Sequence, residues 1–243
     1  MSKLILVSGS TSDLAQNTIL KLNKSKVRFV LLYRNKSKLK NLLNELVDPI
    51  LIKINDKNTS TYSNLEKTLL AKNLQINSFL YFDGIHSFEP LRNISDSNLN
   101  ESFNVNVFNF VRIMKLITKN NLSKSLYSSV VVSSVASLKG NKGVSVYGAS
   151  KSSLNQFVRS FALELSPRNI RVNSIILGHI NTGMGKKTTQ FLNKDQMKNL
   201  ENQHPLGFGH PNDLYNAISF LIDKNKSKWI TGTNLVVDGG YLI

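Results

Sequence analysis

The segment Leu4-Ile5-Leu6-Val7-Ser8-Gly9-Ser10-Thr11-Ser12-Asp13-Leu14-Ala15 decides the fold class of this chain. A short apolar run of strand length stops at a turn of small residues, and a pattern of helical period begins directly after it. The same succession recurs to the end of the chain. Strands are predicted at Leu4–Ser8, Val27–Leu32, Ile50–Ile54, Ser78–Phe82, Ser129–Ser133, Arg171–Leu177 and Asn234–Val237. Between and after them, helices are predicted at Asp13–Leu22, Lys36–Leu46, Tyr62–Ala71, Asn98–Lys119, Val146–Leu165, Asp195–Gln203 and Asn212–Ile222. Strand followed by helix, repeated, implies an α/β fold with a parallel sheet covered by helices on both faces. Several of the strands are apolar throughout, as burial on both faces requires. Right-handed crossovers then give a doubly wound sheet of about seven strands. No linker, repeat or low-complexity tract interrupts the pattern, so residues 1–243 read as a single domain. The polar stretch Asn181–Pro205 reads as a lid or substrate loop.

Composition excludes several function classes. The chain has no cysteine, which rules out disulfides, thiolate catalysis and cysteine-based zinc sites and fits a cytoplasmic location. It has no run of apolar residues long enough to span a membrane, and the apolar start is too short for a signal peptide. The formal net charge of +16 admits an acidic partner such as nucleic acid, anionic lipid or an acidic carrier protein. The preferred reading is compositional drift, because Lys and Asn are abundant everywhere and form no basic block. Nucleic acid is not the expected partner.

In α/β chains a strand–turn–helix at the N-terminus is where a dinucleotide pyrophosphate binds. Small residues let the backbone approach, and the helix N–H groups and macrodipole favour the anion. Gly9, Ser10, Thr11, Ser12, Asp13 and Leu14 are therefore candidate cofactor residues. Only Gly9 remains of the three glycines such turns usually carry, so a plain strand–helix turn is the competing reading. The second predicted strand ends in Tyr33-Arg34-Asn35-Lys36. An acidic residue there would hold the adenosine ribose of NAD; none is present. Arg34 can instead grip a 2′-phosphate, with Lys36 or Lys38 assisting, which favours NADP(H) over NAD(H). A solvated helix start is the alternative.

Tyr147 and Lys151 stand at i and i+4 of a predicted helix and share one face. A free Tyr, with a pKa of about 10, is a poor acid–base catalyst at neutral pH, and a neighbouring ammonium favours its phenolate. The spacing alone also fits a surface helix face. Context strengthens it: the strand Ser129–Ser133 delivers Ser133 and Ser134 at its carboxyl end, where ligands sit in open α/β sheets.

At this point the chain resembles the short-chain dehydrogenase/reductase family, of single-domain Rossmann type. Ser133-Ser134-Val135-Ala136-Ser137 resembles the family's catalytic-serine segment, and Tyr147-Gly148-Ala149-Ser150-Lys151 matches its Tyr-x-x-x-Lys signature. Asn106, in Val105-Asn106-Val107, falls where the catalytic Asn lies. Gly178-His179-Ile180-Asn181-Thr182 matches the nicotinamide loop, with Leu177 in place of its usual Pro, and Asp238-Gly239-Gly240 resembles a C-terminal segment. The resemblance implies that Tyr147 is the general acid or base and that Ser134 hydrogen-bonds the substrate oxygen. Lys151 would bind the nicotinamide ribose and lower the Tyr pKa. Asn106 would anchor a water relaying protons to Lys151, and Thr182 with the Ile180 backbone would hold the carboxamide. It also implies a homotetramer built on the helices carrying Asn106 and Tyr147 and on the C-terminal strand.

The chain departs from the family pattern in places. Asp13 and Ala15 take the second and third glycine positions of the cofactor turn. A carboxylate near the pyrophosphate repels it, unless Asp13 caps helix N–H groups and faces away. The segment after the fourth strand reads Tyr81-Phe82-Asp83-Gly84, where only Gly84 matches the family. The adenine-contacting position after the third strand is either Asn55 or Asp56. His86, His179, His204 and His210 are widely spaced and form no metal motif, so no metal is expected. Trp229 reads as a packing residue. The function expected is NADP-dependent interconversion of a ketone and a secondary alcohol. The substrate is either a carrier-bound 3-oxoacyl chain, with Arg168 at one of two basic positions and Ser125 at the other, or a sugar or small ketone. The alternative is a cofactor-binding regulatory or interaction protein with weakened turnover.

Overall fold

A computed structural model describes residues 3–25, 27–55, 60–183, 185, 189 and 193–243. Its centre is a parallel sheet of seven strands: β1 (Lys3–Ser8), β2 (Val27–Tyr33), β3 (Ile50–Lys53), β4 (Ser78–Tyr81), β5 (Ser128–Val132), β6 (Arg171–Leu177) and β7 (Asn234–Val237). The strand order is β3-β2-β1-β4-β5-β6-β7. The chain runs outward from β1 to one edge, returns to β4 and runs outward to the other, as expected for a doubly wound sheet. The switch point lies between β1 and β4, where Ser8 pairs with Tyr81. A crevice at the carboxyl ends of these two strands is where such sheets bind ligands.

The pleat sends alternate side chains of each strand to opposite faces. On one face Leu4, Leu6, Val30 and Leu32 pack with residues of three helices, α3 (Ser60–Ala71), α5 (Asn109–Ile117) and α6 (Ser145–Leu165). On the other, Ile5, Val7, Phe29 and Leu31 pack with α1 (Asp13–Asn23), α2 (Lys40–Glu45) and α8 (Pro211–Ile222). Helix α1 shows how sequence and burial agree. Ala15, Thr18, Ile19 and Leu22 form its buried stripe, and the Ser12 side chain caps it by accepting from the Ala15 N–H.

Several elements differ from their predicted bounds. The helix expected at Lys36–Leu46 opens as a 3-10 turn, Lys36–Leu39, because Asn35 caps the Ser37 N–H and tightens the entry. The continuous helix expected at Asn98–Lys119 is three pieces: α4 (Asp96–Phe103), a π-helical turn (Asn104–Phe108) and α5. Helical period cannot reveal a π turn, since one extra residue shifts the apolar stripe only locally. The Arg112 guanidinium straps this wide turn by donating to the side-chain oxygens of Asn104 and Asn109. The helix expected at Asp195–Gln203 is present as α7 (Lys194–Asn202), which starts with a capping box made by Asn193 and Gln196. Trp229, expected to pack, is 98% exposed: it follows α8 in a surface turn and nothing among the described residues covers it. No helix among the described residues is long and apolar enough to cross a membrane.

Candidate active site

The floor of the site is the turn after β1. Gly9 has φ +73°, and a Cβ there would lie 2.7 Å from the Asp83 nitrogen and from the Phe82 carbonyl carbon. Only glycine lets the β1 turn lie against the end of β4. The Ser10 hydroxyl donates to the Leu32 carbonyl at 2.7 Å, fixing the turn beside the end of β2, where Arg34 stands exposed. The Ser12 N–H donates to the Gly9 carbonyl. With Ser12 as cap, Asp13 is not needed in that role. Its carboxylate instead accepts from the Gly183 N–H at 2.9 Å, across the cleft on the segment after β6. Thr11 and Leu14 complete the turn: the Thr11 carbonyl accepts from Gln16, and Leu14 lines the cleft. Asn55 is pinned at the end of β3, its N–H donating to the Thr61 hydroxyl. Asp56 lies outside the described residues.

A cavity of about 300 Å³ opens beyond this floor. Ser134, Tyr147, Lys151, Gly84, Ile180 and Thr182 all line it. Strand β5 stops at Val132, and Ser134 caps the short turn Val135–Ser137, its side chain accepting from the Ala136 N–H. Tyr147 is on the first turn of α6 and Lys151 one turn later. Gly148 lets α6 approach the serine turn, since a Cβ there would lie 2.6 Å from the Ala136 carbonyl oxygen. Burial raises the Tyr147 pKa, and a hydrogen bond from Ser134 acts the other way. The Lys151 ammonium donates to the Val132 carbonyl at 3.0 Å and stands 5.8 Å from the centre of the Tyr147 ring. Burial lowers its pKa to about 8, against a pull upward from Asp83.

Asn106 sits in the π turn and is fully buried. Its side chain accepts from the Ile85 N–H and donates to the Ile85 carbonyl and the Ser150 hydroxyl, so it ties the loop after β4 to α6. Gly84, in that loop, faces Lys151 at such range that a Cβ would lie 3.2 Å from the ammonium. Thr182 and Ile180 are buried, and a single bridge pairs Ile180 with Gly209.

Sequence reasoning missed four residues here. Asp83 is 3% exposed and accepts a hydrogen bond from the Ser8 hydroxyl. A carboxylate at the end of an apolar strand was the available signal. His86, His179 and His204 all line the cavity, although nothing in their spacing brings them together. No group of three His, Cys, Asp or Glu among the described residues is placed to hold a metal.

The residues fit a dinucleotide. The turn excludes any Cβ at Gly9, the capped N-terminus of α1 faces the cleft, and a buried ammonium stands beside the Gly84 backbone. A glycine turn at the switch point of a doubly wound sheet, continued by a half-buried phenol and a buried ammonium, is the layout of an NAD(P)-dependent dehydrogenase or reductase, and this protein is one. Comparison with known proteins gives the family. A family model described as enoyl-(acyl carrier protein) reductase matches residues 9–242, and the chain belongs to the short-chain dehydrogenase/reductase family. It is 30% identical to a 3-oxoacyl-[acyl-carrier-protein] reductase of Rickettsia prowazekii over 99% of this chain and 97% of that protein. It is 28% identical to an L-xylulose reductase of Caenorhabditis elegans over 98% of this chain and 95% of that protein. A solved structure of 4-hydroxyisoleucine dehydrogenase complexed with NADH superposes with a TM-score of 0.90 at 26% identity, covering 99% of both chains.

Proposed function

We propose that this protein acts as one domain, an NADP-dependent oxidoreductase interconverting a ketone and a secondary alcohol, with Tyr147 as general acid in reduction and general base in oxidation. The observation that carries the reading is the Tyr147 phenol, lining the cavity and hydrogen-bonded by Ser134 with Lys151 beside its ring. The bound nicotinamide would supply the hydride; the chain supplies position and protons. A phenol whose pKa is raised by burial stays protonated at neutral pH and suits protonation of an alkoxide. Ser134 donates to the developing oxyanion. The Lys151 ammonium stabilises the phenolate that remains and binds the nicotinamide ribose. Asn106 holds the 84–86 loop against α6 and anchors a relay water next to Lys151.

Residues Gly9, Ser10, Thr11, Ser12, Asp13 and Leu14 would hold the pyrophosphate, and Arg34 the 2′-phosphate that favours NADP(H), with NAD(H) as the second choice. Asn55 or Asp56 would contact adenine, Gly84 the adenosine side, and Ile180 and Thr182 the carboxamide. The substrate is a carrier-bound 3-oxoacyl chain or a sugar or small ketone. Against the carrier, Arg168 spends its guanidinium on the Thr118 carbonyl and the Ser123 hydroxyl. A cytoplasmic homotetramer is part of the reading, supported by apolar side chains left exposed at Phe108, Leu163, Val236 and Trp229.

NADPH oxidation against a panel of ketones tests this. Tyr147→Phe should lower turnover by about a hundredfold or more while NADPH fluorescence titration still shows binding. Unchanged rates would overturn the role of Tyr147. Binding without turnover of any ketone in the parent protein would favour the regulatory reading.

A further inference from the structure

Three imidazoles, His86, His179 and His204, line the cavity, and the last two rest on an aromatic bed. His204 is only 4% exposed. Its Nδ1 lies 2.8 Å from the Leu200 carbonyl oxygen. A carbonyl can only accept, so Nδ1 carries a proton, and in that tautomer the Nε2 lone pair is an acceptor. The ring is held on two sides, stacked on Tyr241 at 4.7 Å and edge-on to Phe208 at 5.2 Å. His179 packs against Phe208 at 4.3 Å and faces His204 at 6.4 Å. Burial, and next the neighbouring His204, keep its pKa below the usual histidine value. His86 leans on the Tyr147 ring at 4.8 Å, and burial lowers its pKa too. Among the described residues lining the cavity, the only carboxylate is Asp13, bonded to the Gly183 N–H, and the only ammonium is Lys151.

We infer that His204 is a specificity-determining residue that accepts a hydrogen bond from a substrate hydroxyl, and that the cavity takes a compact, uncharged polyhydroxylated ketone. The inference rests on the oxidoreductase reading and chooses between the two substrate classes left open there. A hydroxyl can donate to the Nε2 lone pair, and the C–H faces of such a molecule pack on Tyr241 and the imidazoles. An acyl chain would bury that lone pair with no donor, which is unfavourable. A substrate carboxylate would set acceptor against acceptor. Discrimination of this kind is strong because a site built to bond a hydroxyl loses the bond when the hydroxyl is missing.

The experiment measures NADPH oxidation with L-xylulose, with 2-pentanone as a plain ketone, and with acetoacetyl-coenzyme A as a carrier mimic. L-Xylulose should give the highest kcat/KM. In His204→Phe, which keeps an aromatic ring on Tyr241 but lacks the acceptor, the ratio of kcat/KM for L-xylulose over 2-pentanone should fall about tenfold or more, mainly through KM. His204→Gln, whose side-chain oxygen can accept at similar reach, should recover part of that ratio. A merely structural role would depress both substrates alike; an unchanged ratio overturns the inference, as does preference for the thioester in the parent protein. Failure to reduce any of the three, with NADPH bound, overturns the oxidoreductase reading itself and the inference with it.

Discussion

Replacing Gly9 by Ala tests the idea that the cofactor floor exists because β1 and β4 end in close contact. Two costs follow from the geometry. An L-residue at φ +73° is strained by about 1–2 kcal/mol. The added Cβ would lie 2.7 Å from two backbone atoms, Asp83 N and Phe82 C, which cannot swing away like a flexible side chain. Overpacking of that kind costs about 1–3 kcal/mol, so the total is about 2–5 kcal/mol. For a chain of this length a loss of about 3 kcal/mol lowers Tm by roughly 6–12 °C. Gly207 is the control: its φ is +72°, but nothing lies within 4 Å of its missing Cβ. Gly207→Ala should therefore show only the conformational part, about 1–2 kcal/mol. Calorimetry of both variants separates strain from close approach, and NADPH titration reports the displaced turn as weakened binding in Gly9→Ala. Equal losses of Tm in the two variants, with NADPH affinity intact in both, would refute the reasoning.

Four further outcomes are expected. Lys151 has its pKa lowered to about 8 from 10.5, so the folded state gives up this proton before the unfolded chain does. Stability should rise with pH between those two values, while ketone reduction, which needs the ammonium, should decline above about 8. Asp83→Asn removes the charge that holds this pKa up, so the alkaline limb of the kcat/KM profile should move to lower pH; a shift upward or none would discount Asp83. Asp13→Asn keeps an oxygen for the Gly183 N–H and removes a negative charge from the phosphate turn. NADPH should bind about threefold to tenfold more tightly, as measured by fluorescence, and weaker binding would mean the charge itself holds the cleft. Arg34→Ala should raise KM for NADPH about tenfold or more and leave KM for NADH much less affected; parallel changes would remove Arg34 from the 2′-phosphate.

Features governed by short-range rules were legible in the sequence. The unbroken apolar run Leu4–Val7 follows from burial on both faces of the sheet and the 15, 18, 19, 22 stripe of α1 from the helix period, and the order of elements then restricts the sheet to a few topologies. The i, i+4 spacing of Tyr147 and Lys151 likewise puts both on one face wherever the helix lies. What the periods do not encode, the sequence did not show. The π turn that buries Asn106 is one added residue between two regular helices.

By itself, then, the sequence determined the strand–helix succession of the doubly wound sheet, the glycine turn and the shared helix face of Tyr147 and Lys151, because each depends on residues adjacent in the chain or one turn apart. Only the tertiary structure decided where Asp13 directs its charge, since its partner Gly183 is 170 residues away. Only it placed Asp83 within electrostatic reach of Lys151. The gathering of His86, His179 and His204 around one cavity was decided in the same way. His86 and His179 follow the carboxyl ends of β4 and β6, whereas His204 follows α7, so no spacing along the chain brings the three together.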